Sequence, residues 1–151
     1  MRKLLGTVAM AGLSSALLFA GALTLEVANP KTNAEAVAKN AALVARITAC
    51  ESPEKTVVTA TAESTSGGKR VSIPLKVTNL STPGTFAVSH EWPKDGTWAI
   101  VMVATNPNYK DYATSVLVPV HNDAFSWAAV KHVYHRPTAG DIDRALAQNS
   151  L

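Results

Sequence analysis

The sequence predicts an all-β domain in which two antiparallel sheets pack as a sandwich, followed by a short C-terminal helix. Three observations predict this class of fold. Between residues 42 and 120 the chain consists of short runs rich in β-branched residues, turn dipeptides separate these runs at intervals of roughly 10 to 15 residues, and no helical periodicity intervenes.

The chain begins with a segment typical of an export signal. Arg2 and Lys3 precede a charge-free apolar run over residues 4–23, and the small residues Ala20 and Ala22 occupy the positions that a signal peptidase requires. We therefore predict cleavage after Ala22. A run of about 20 residues is also long enough to cross a bilayer as a helix, so an uncleaved membrane anchor remains the alternative.

The predicted organisation has four parts: a signal peptide over residues 1–22, a leader or linker over residues 23–41, the β-sandwich domain over residues 42–136, and a short C-terminal helix with its tail over residues 137–151. The leader is rich in Ala, Asn and Lys and too short for independent stability, so it is interpreted as a solvated tether, either flexible or briefly helical. Within it, Asn33 can cap a turn, and Glu35 and Lys39 have the i, i+4 spacing of a helical ion pair.

The charge of the mature chain is close to zero. The full sequence has 14 Lys and Arg against 11 Asp and Glu. Removing Arg2 and Lys3 with the signal leaves 12 basic against 11 acidic side chains, a net charge of +1. Nucleic-acid binding requires several cations on one face, and the pair Lys69 and Arg70 is too small a cluster. We predict no nucleic-acid partner.

Alternation of apolar and polar residues predicts the strands. They are, in chain order, residues 43–50, 56–62, 70–80, 85–92, 98–104 and 112–120. Pro74 cannot donate a ladder hydrogen bond, so it places its strand at a sheet edge or a bulge. The strand that Trp98 opens is apolar on both faces, which predicts a central strand covered by the opposing sheet on one side and partly screened on the other.

The last part of the chain is less regular. Residues 126–135 fit either a final strand or a helix, and we adopt the strand. Thr138 and Asp141 then form a pair resembling a capping box, and the apolar residues from Ile142 to Leu146 are spaced for one face of a short helix. We expect this helix to pack on the end of the sandwich.

Two turn motifs are shared with known exported domains. Residues 83–86 (Pro-Gly-Thr-Phe) and 95–98 (Asp-Gly-Thr-Trp) each place a Gly-Thr-aromatic step after a turn, and valine-rich strands follow. Over residues 42–120 the chain resembles the immunoglobulin-like modules of exported bacterial proteins and is similar to FixH-like and YtkA-like periplasmic domains. The resemblance implies an immunoglobulin-like antiparallel β-sandwich in the periplasm or outside the cell, and it implies no activity.

Cys50 is the single cysteine, so no disulfide can form within the chain. The Cys-Trp-Cys arrangement of antibody-type domains is therefore missing. We interpret Cys50 as a buried, inert thiol, with an intermolecular disulfide and a catalytic thiol as the alternatives.

Four histidines raise the possibility of a metal site. A helix would place His132 and His135 on one side, whereas the adopted strand would point them to opposite faces. The alternative function is therefore a periplasmic metal-handling protein that uses His121, His132 and His135. We assign no metal ligand and no cofactor, and we interpret the histidines, including His90, as structural or solvent-exposed.

Catalytic motifs are absent from the sequence. It contains no Gly-x-Ser-x-Gly or His-Glu-x-x-His pattern, and the Gly-Gly-Lys at residues 67–69 lacks the spacing of a phosphate-binding loop. We assign no catalytic and no cofactor-binding residue. The predicted function is an exported, non-enzymatic interaction or accessory module, and an undetected enzyme is the further alternative.

Aromatic residues near the predicted strand ends either cap the core or form a recognition surface for a peptide or glycan. They are Trp92, Tyr109, Tyr112, Phe125 and Trp127. The partner is accordingly an unidentified protein or glycan, and no membrane contact is expected once the signal is removed.

We expect the protein isolated from its host to begin near Leu23 and to be soluble after release from the cell envelope. Intact-mass measurement checks this prediction. A species that retains residues 1–22 and requires detergent would show that the apolar run is a membrane anchor.

Overall fold

Ten strands form two antiparallel sheets in the computed structural model, which describes residues 23–148. The strands are β1 (Thr24–Ala28), β2 (Ala41–Thr48), β3 (Val57–Ser66), β4 (Lys69–Leu75), β5 (Val77–Asn79), β6 (Thr85–Ser89), β7 (Thr97–Thr105), β8 (Ala113–His121), β9 (Ala124–Phe125) and β10 (Lys131–Val133). The helices are α1 (Ala34–Ala38) and α2 (Ala139–Ala147). The predicted signal peptide, residues 1–22, lies outside the described residues, as do residues 149–151.

The two sheets pack face to face, which confirms the all-β sandwich. The first sheet has the order β1-β2-β6-β5, and the second has the order β10-β8-β7-β3-β4, with β9 paired to β8. Alternate side chains point between the sheets and form one apolar core. The face predicted for Leu43, Ala45 and Ile47 is confirmed, because all three are buried in this core.

Strand β1 corrects the prediction of a solvated tether over residues 23–41. It pairs antiparallel with β2 in continuous register, and Leu23 and Leu25 are fully buried in the core. Leu23, Leu25 and Val27 alternate along the chain as the residues of a strand do. The prediction missed this alternation because it follows directly on the apolar run of the predicted signal peptide.

Helix α1 confirms the local expectations for the same segment. The Asn33 side chain accepts a hydrogen bond from the Ala36 N–H at 3.0 Å, and Glu35 lies 4.0 Å from Lys39. Glu35 also accepts hydrogen bonds from the backbone N–H and the hydroxyl of Ser81, at 2.8 and 2.7 Å. These bonds lower the pKa of Glu35 and hold α1 against the loop between β5 and β6.

The strand predicted over residues 70–80 is two strands in different sheets. β4 pairs with β3 in the second sheet, and β5 pairs with β6 in the first. The exposed Lys76 lies at the crossing. Alternation does not detect the crossing, because Leu75 and Val77 both pack on the core from their separate sheets. The edge position of Pro74 is confirmed, since β4 is an outer strand of its sheet.

Residues 126–135 contain a 3-10 turn (Trp127–Ala129) and the three-residue strand β10. The strand prediction is therefore confirmed for Lys131–Val133 alone, and the single-helix alternative is wrong. β10 pairs with β8 at the edge of the second sheet.

Helix α2 confirms the predicted capping box but not the predicted packing. Ala145 is buried with Val101 of β7 and Leu117 of β8, on the outer face of the second sheet rather than at the end of the sandwich. The helix thus supplies the second cover that the apolar outer face of β7 requires. Neither helix of the described residues has the length and apolar character needed to cross a membrane.

Trp98 lies in the main core with 7% of its surface exposed, and its indole N–H donates to the Asp95 carbonyl at 3.1 Å. We expect Trp98→Ala to lower the free energy of unfolding by about 3–5 kcal/mol, because it leaves a large cavity. Lys76→Ala, at the exposed crossing, is expected to change it by no more than about 0.5 kcal/mol. Urea denaturation of both variants tests this; equal midpoints would contradict the burial of Trp98.

Asp141 carries the pH dependence of the α2 cap. Its Oδ2 accepts from the Thr138 backbone N–H at 2.9 Å and from the Thr138 hydroxyl at 2.7 Å, and its Oδ1 accepts from Arg144 at 2.5 Å. These bonds lower the pKa of Asp141 from its ordinary 3.8 to about 2. The stabilisation of the folded state is therefore complete above the unfolded value and is lost as the pH falls through about 2.

We expect NMR titration to give Asp141 a pKa of about 2. Thr138→Ala should move this pKa part of the way upwards, because it removes the hydroxyl hydrogen bond and keeps the backbone one. Asp141→Asn should remove this contribution to the acid dependence of unfolding, whereas Glu54→Gln, in an exposed turn, should preserve it. An ordinary pKa for Asp141 in the unmodified protein would contradict the prediction that the cap hydrogen bonds lower it.

Candidate functional site

The histidines of the metal hypothesis lie in separate places. His121 ends β8, whereas His132 on β10 lies opposite Val116 of the same strand. Five residues of strand separate these positions by about 17 Å at the usual rise of about 3.3 Å per residue. Within residues 23–148, no group of three or more His, Cys, Asp or Glu side chains is placed to hold a metal ion.

His121 and His90 have local partners instead. The His121 Nδ1 lies 3.0 Å from the Thr97 hydroxyl, next to the turn between β8 and β9. The His90 Nε2 lies 2.9 Å from Asp123 Oδ1, and its ring packs edge-on against Trp92 with centroids 4.2 Å apart. His90 therefore links the loop before β7 to the turn after β8.

Most of the aromatic residues near strand ends are core caps. Trp92 is buried, with 3% of its surface exposed. It contacts Phe125 edge-on, and Phe125 stacks on Trp127 with centroids 5.1 Å apart. Phe125 and Trp127 are half-buried against the main core. The packing interpretation is confirmed for these three rings.

Cys50 is half-buried and packs against the main core. The Asn106 amide donates to its sulfur at 3.5 Å and also to the Ser52 carbonyl and the Thr56 hydroxyl, both at 3.0 Å. Asn106 is itself 2% exposed. It therefore anchors the loop between β7 and β8 to the loop between β2 and β3.

An open groove with a volume of about 420 Å³ lies between two segments that are distant in sequence. We call it the Tyr112–Tyr134 groove. Its charged and aromatic lining consists of Lys110, Asp111 and Tyr112 from the loop between β7 and β8, and Tyr134, His135 and Arg136 from the segment after β10; Thr105 and Ala113 complete it.

Both walls of the groove are held in place by defined hydrogen bonds. On one side, the Asn106 side chain accepts from the Asn108 N–H at 2.9 Å, and its carbonyl accepts from the Tyr109 N–H at 2.9 Å. On the other side, the Ser115 hydroxyl of β8 donates to the His135 carbonyl at 2.7 Å. The groove is therefore built on the rigid start of β8.

The two tyrosines differ in burial. Tyr112 is half-buried against the core, whereas Tyr134 is 61% exposed. Burial, and then the nearby Tyr134, raise the pKa of Tyr112, so its phenol stays neutral and can donate a hydrogen bond at physiological pH. Tyr134 offers an accessible ring with a polar tip, which suits a ligand that is apolar on one face and hydrated on the other.

Two cationic side chains, Lys110 and Arg136, line the groove beside the two tyrosines. Within residues 23–148, neither Lys110 nor Arg136 lies within 4.0 Å of a carboxylate. His135 contributes a ring whose Nδ1 donates to the Arg136 carbonyl at 2.9 Å. Asp111 is the carboxylate of the groove lining.

Two other open grooves lack this combination. A groove of about 430 Å³ on the outer face of the first sheet contains Arg46, but Glu26 pairs with it at 3.0 Å. A groove of about 600 Å³ beside Trp98 is lined by hydroxyl and apolar side chains and by the carboxylate of Asp95, without a lysine or arginine. The Tyr112–Tyr134 groove is therefore the candidate functional site.

Sequence reasoning named Tyr112 and His135 as candidates but placed them in different hypotheses, and it missed Tyr134, Arg136 and Lys110. The one available signal was the polar run Tyr-His-Arg at residues 134–136, directly after the last apolar residue of β10. An exposed tyrosine directly after the last strand stands out as a candidate only once the facing loop is known.

No protein-family model, no curated protein and no solved structure matches this chain. The candidate site therefore rests on its geometry and chemistry.

Proposed function

We propose that the mature chain is an exported, non-enzymatic accessory module that binds a glycan in the Tyr112–Tyr134 groove. The exposed ring of Tyr134 carries this proposal. A large aromatic side chain that is 61% exposed beside a half-buried second tyrosine gives a binding surface with little conformational freedom to lose. The volume of about 420 Å³ is within the usual range for small-ligand sites.

Export is proposed from the basic and apolar pattern of residues 1–22. A periplasmic or secreted location suits a module of this size with a nearly neutral mature charge. We also propose that the sandwich is immunoglobulin-like. Its sheet orders support this, since β1-β2-β6-β5 corresponds to the order ABED, and β8-β7-β3 with β4 added corresponds to GFC with one further strand.

The absence of enzymatic activity is proposed because several carboxylates already have structural partners. Asp141 caps α2, Asp143 pairs with Arg70, and Glu63 accepts from the Ser72 hydroxyl at 2.6 Å. A general acid or base needs a carboxyl group free to exchange its proton with a substrate. Carboxylates occupied in this way support a binding role.

Isothermal titration of the exported protein, produced from the full-length chain, tests the proposal with chitotetraose, maltotetraose and tetragalacturonate. We expect at least one of these oligosaccharides to bind, with NMR shift changes confined to residues 105–113 and 134–136. Tyr134→Ala should weaken binding about tenfold or more, since exposed aromatic anchors commonly carry that much affinity.

Val57→Ala is the matched control, because Val57 is 59% exposed outside the groove. It should leave the affinity unchanged, and Tyr134→Phe should retain most of it. Binding that is insensitive to Tyr134→Ala, or no binding of any oligosaccharide, would refute the proposed function.

A further inference from the structure

Arg136 differs from the other arginines of the described chain. Arg46 pairs with Glu26, Arg70 with Asp143, and Arg144 with Asp141. Of the four arginines within residues 23–148, Arg136 has no carboxylate partner. An unpaired guanidinium beside an exposed aromatic ring is a ready donor for an anionic ligand, because its planar fork matches the geometry of a carboxylate or phosphate.

The positive charge of the groove is local. The mature chain has a net charge of only +1, and yet Lys110 and Arg136 line the same groove against the single carboxylate of Asp111. The two cations come from opposite walls, one from the loop between β7 and β8 and the other from the segment after β10. A ligand lying across the groove therefore meets a cation on each side.

His135 adds a hydrogen-bond acceptor to the groove. Its Nδ1 faces the Arg136 carbonyl at 2.9 Å and lies 3.9 Å from Asp141 Oδ2. The other ring nitrogen, Nε2, has no partner among the described residues. In the tautomer that this arrangement favours, Nδ1 carries the proton and Nε2 accepts a hydrogen bond from a hydroxyl group.

Asp111 and His135 give the groove acceptors for hydroxyl groups, while Lys110 and Arg136 give it donors for an anion. A sugar that carries both hydroxyl groups and a negative charge satisfies both sets, whereas a negatively charged ligand without hydroxyl groups leaves the acceptors of Asp111 and His135 unpaired. We infer that the Tyr112–Tyr134 groove binds an anionic glycan, one bearing carboxylate or phosphate groups, with the sugar ring on Tyr134 and the anion between Arg136 and Lys110. This inference rests on the proposed glycan-binding function.

Titration of the exported protein with matched pairs of oligosaccharides tests the inference. Tetragalacturonate is compared with its neutral methyl ester, and maltotetraose phosphate with maltotetraose, so that the two pairs distinguish a carboxylate from a phosphate ligand. We expect at least one anionic member to bind ten times more tightly than its neutral counterpart, and this preference to decrease as the salt concentration rises.

Arg136→Gln should reduce the affinity for the anionic member about tenfold, towards that of the neutral one, and Arg136→Lys should restore part of it. Lys94→Gln is the matched control, because it removes the same charge from an exposed loop at the other end of the sandwich. It should leave the preference intact. Unchanged thermal unfolding of each variant shows that the fold is retained.

The outcomes separate the two proposals. Equal binding of anionic and neutral members, unaffected by Arg136→Gln, would overturn the anionic inference and leave the glycan function standing. Binding of no oligosaccharide would overturn both. Binding of tetraglutamate with the same dependence on Arg136, and of no sugar, would replace the glycan with an acidic peptide and so overturn the inference.

Discussion

Strand β7 is buried on both of its faces, and this double burial requires two separate layers of cover. The first sheet covers Ile100 and Met102 on the inner face, and α2 covers Val101 on the outer face. An uncovered outer face would expose a continuous apolar strip in the middle of the second sheet. The position of the C-terminal helix therefore follows from the composition of a strand some forty residues earlier, and the capping box that begins α2 also stabilises the cover of the core.

The elements whose pattern is local could be predicted from the sequence. The β2 and β7 faces, the edge position of Pro74 and the α2 cap all depend on residues within a few positions of one another. The predictions for residues 23–41 and 70–80 are wrong because in each case a different structure has the same local pattern of apolar residues. Leu23 and Leu25 follow directly on the apolar run of the predicted signal peptide, and Val77 continues the alternation of β4 after the chain has moved to the other sheet. The periodicity of apolar residues indicates which face of a strand is buried, but it does not indicate to which of the two sheets the strand belongs.

The candidate site could not be predicted in the same way, because no segment contains it. Lys110 and Arg136 come together only because the loop between β7 and β8 and the segment after β10 both attach to the start of β8. The side chain that positions the first of these walls is Asn106, whose amide serves three acceptors from a loop about fifty residues earlier. A buried asparagine has no sequence pattern that distinguishes it from one in an ordinary turn, so its role becomes evident only from its partners.

The central pairing of each sheet joins strands that are far apart along the chain, with Val44 opposite Ala87 in one sheet and Ala60 opposite Met102 in the other. These paired strands must be brought together before the centre of either sheet can form. The long segments between them become closed loops, and loop-closure entropy opposes that step. Sandwiches of this connectivity fold in roughly milliseconds to seconds, far more slowly than helical domains of the same size. Under the proposed export the chain would cross a membrane unfolded, and slow sheet assembly would then lengthen the interval in which it remains competent for translocation.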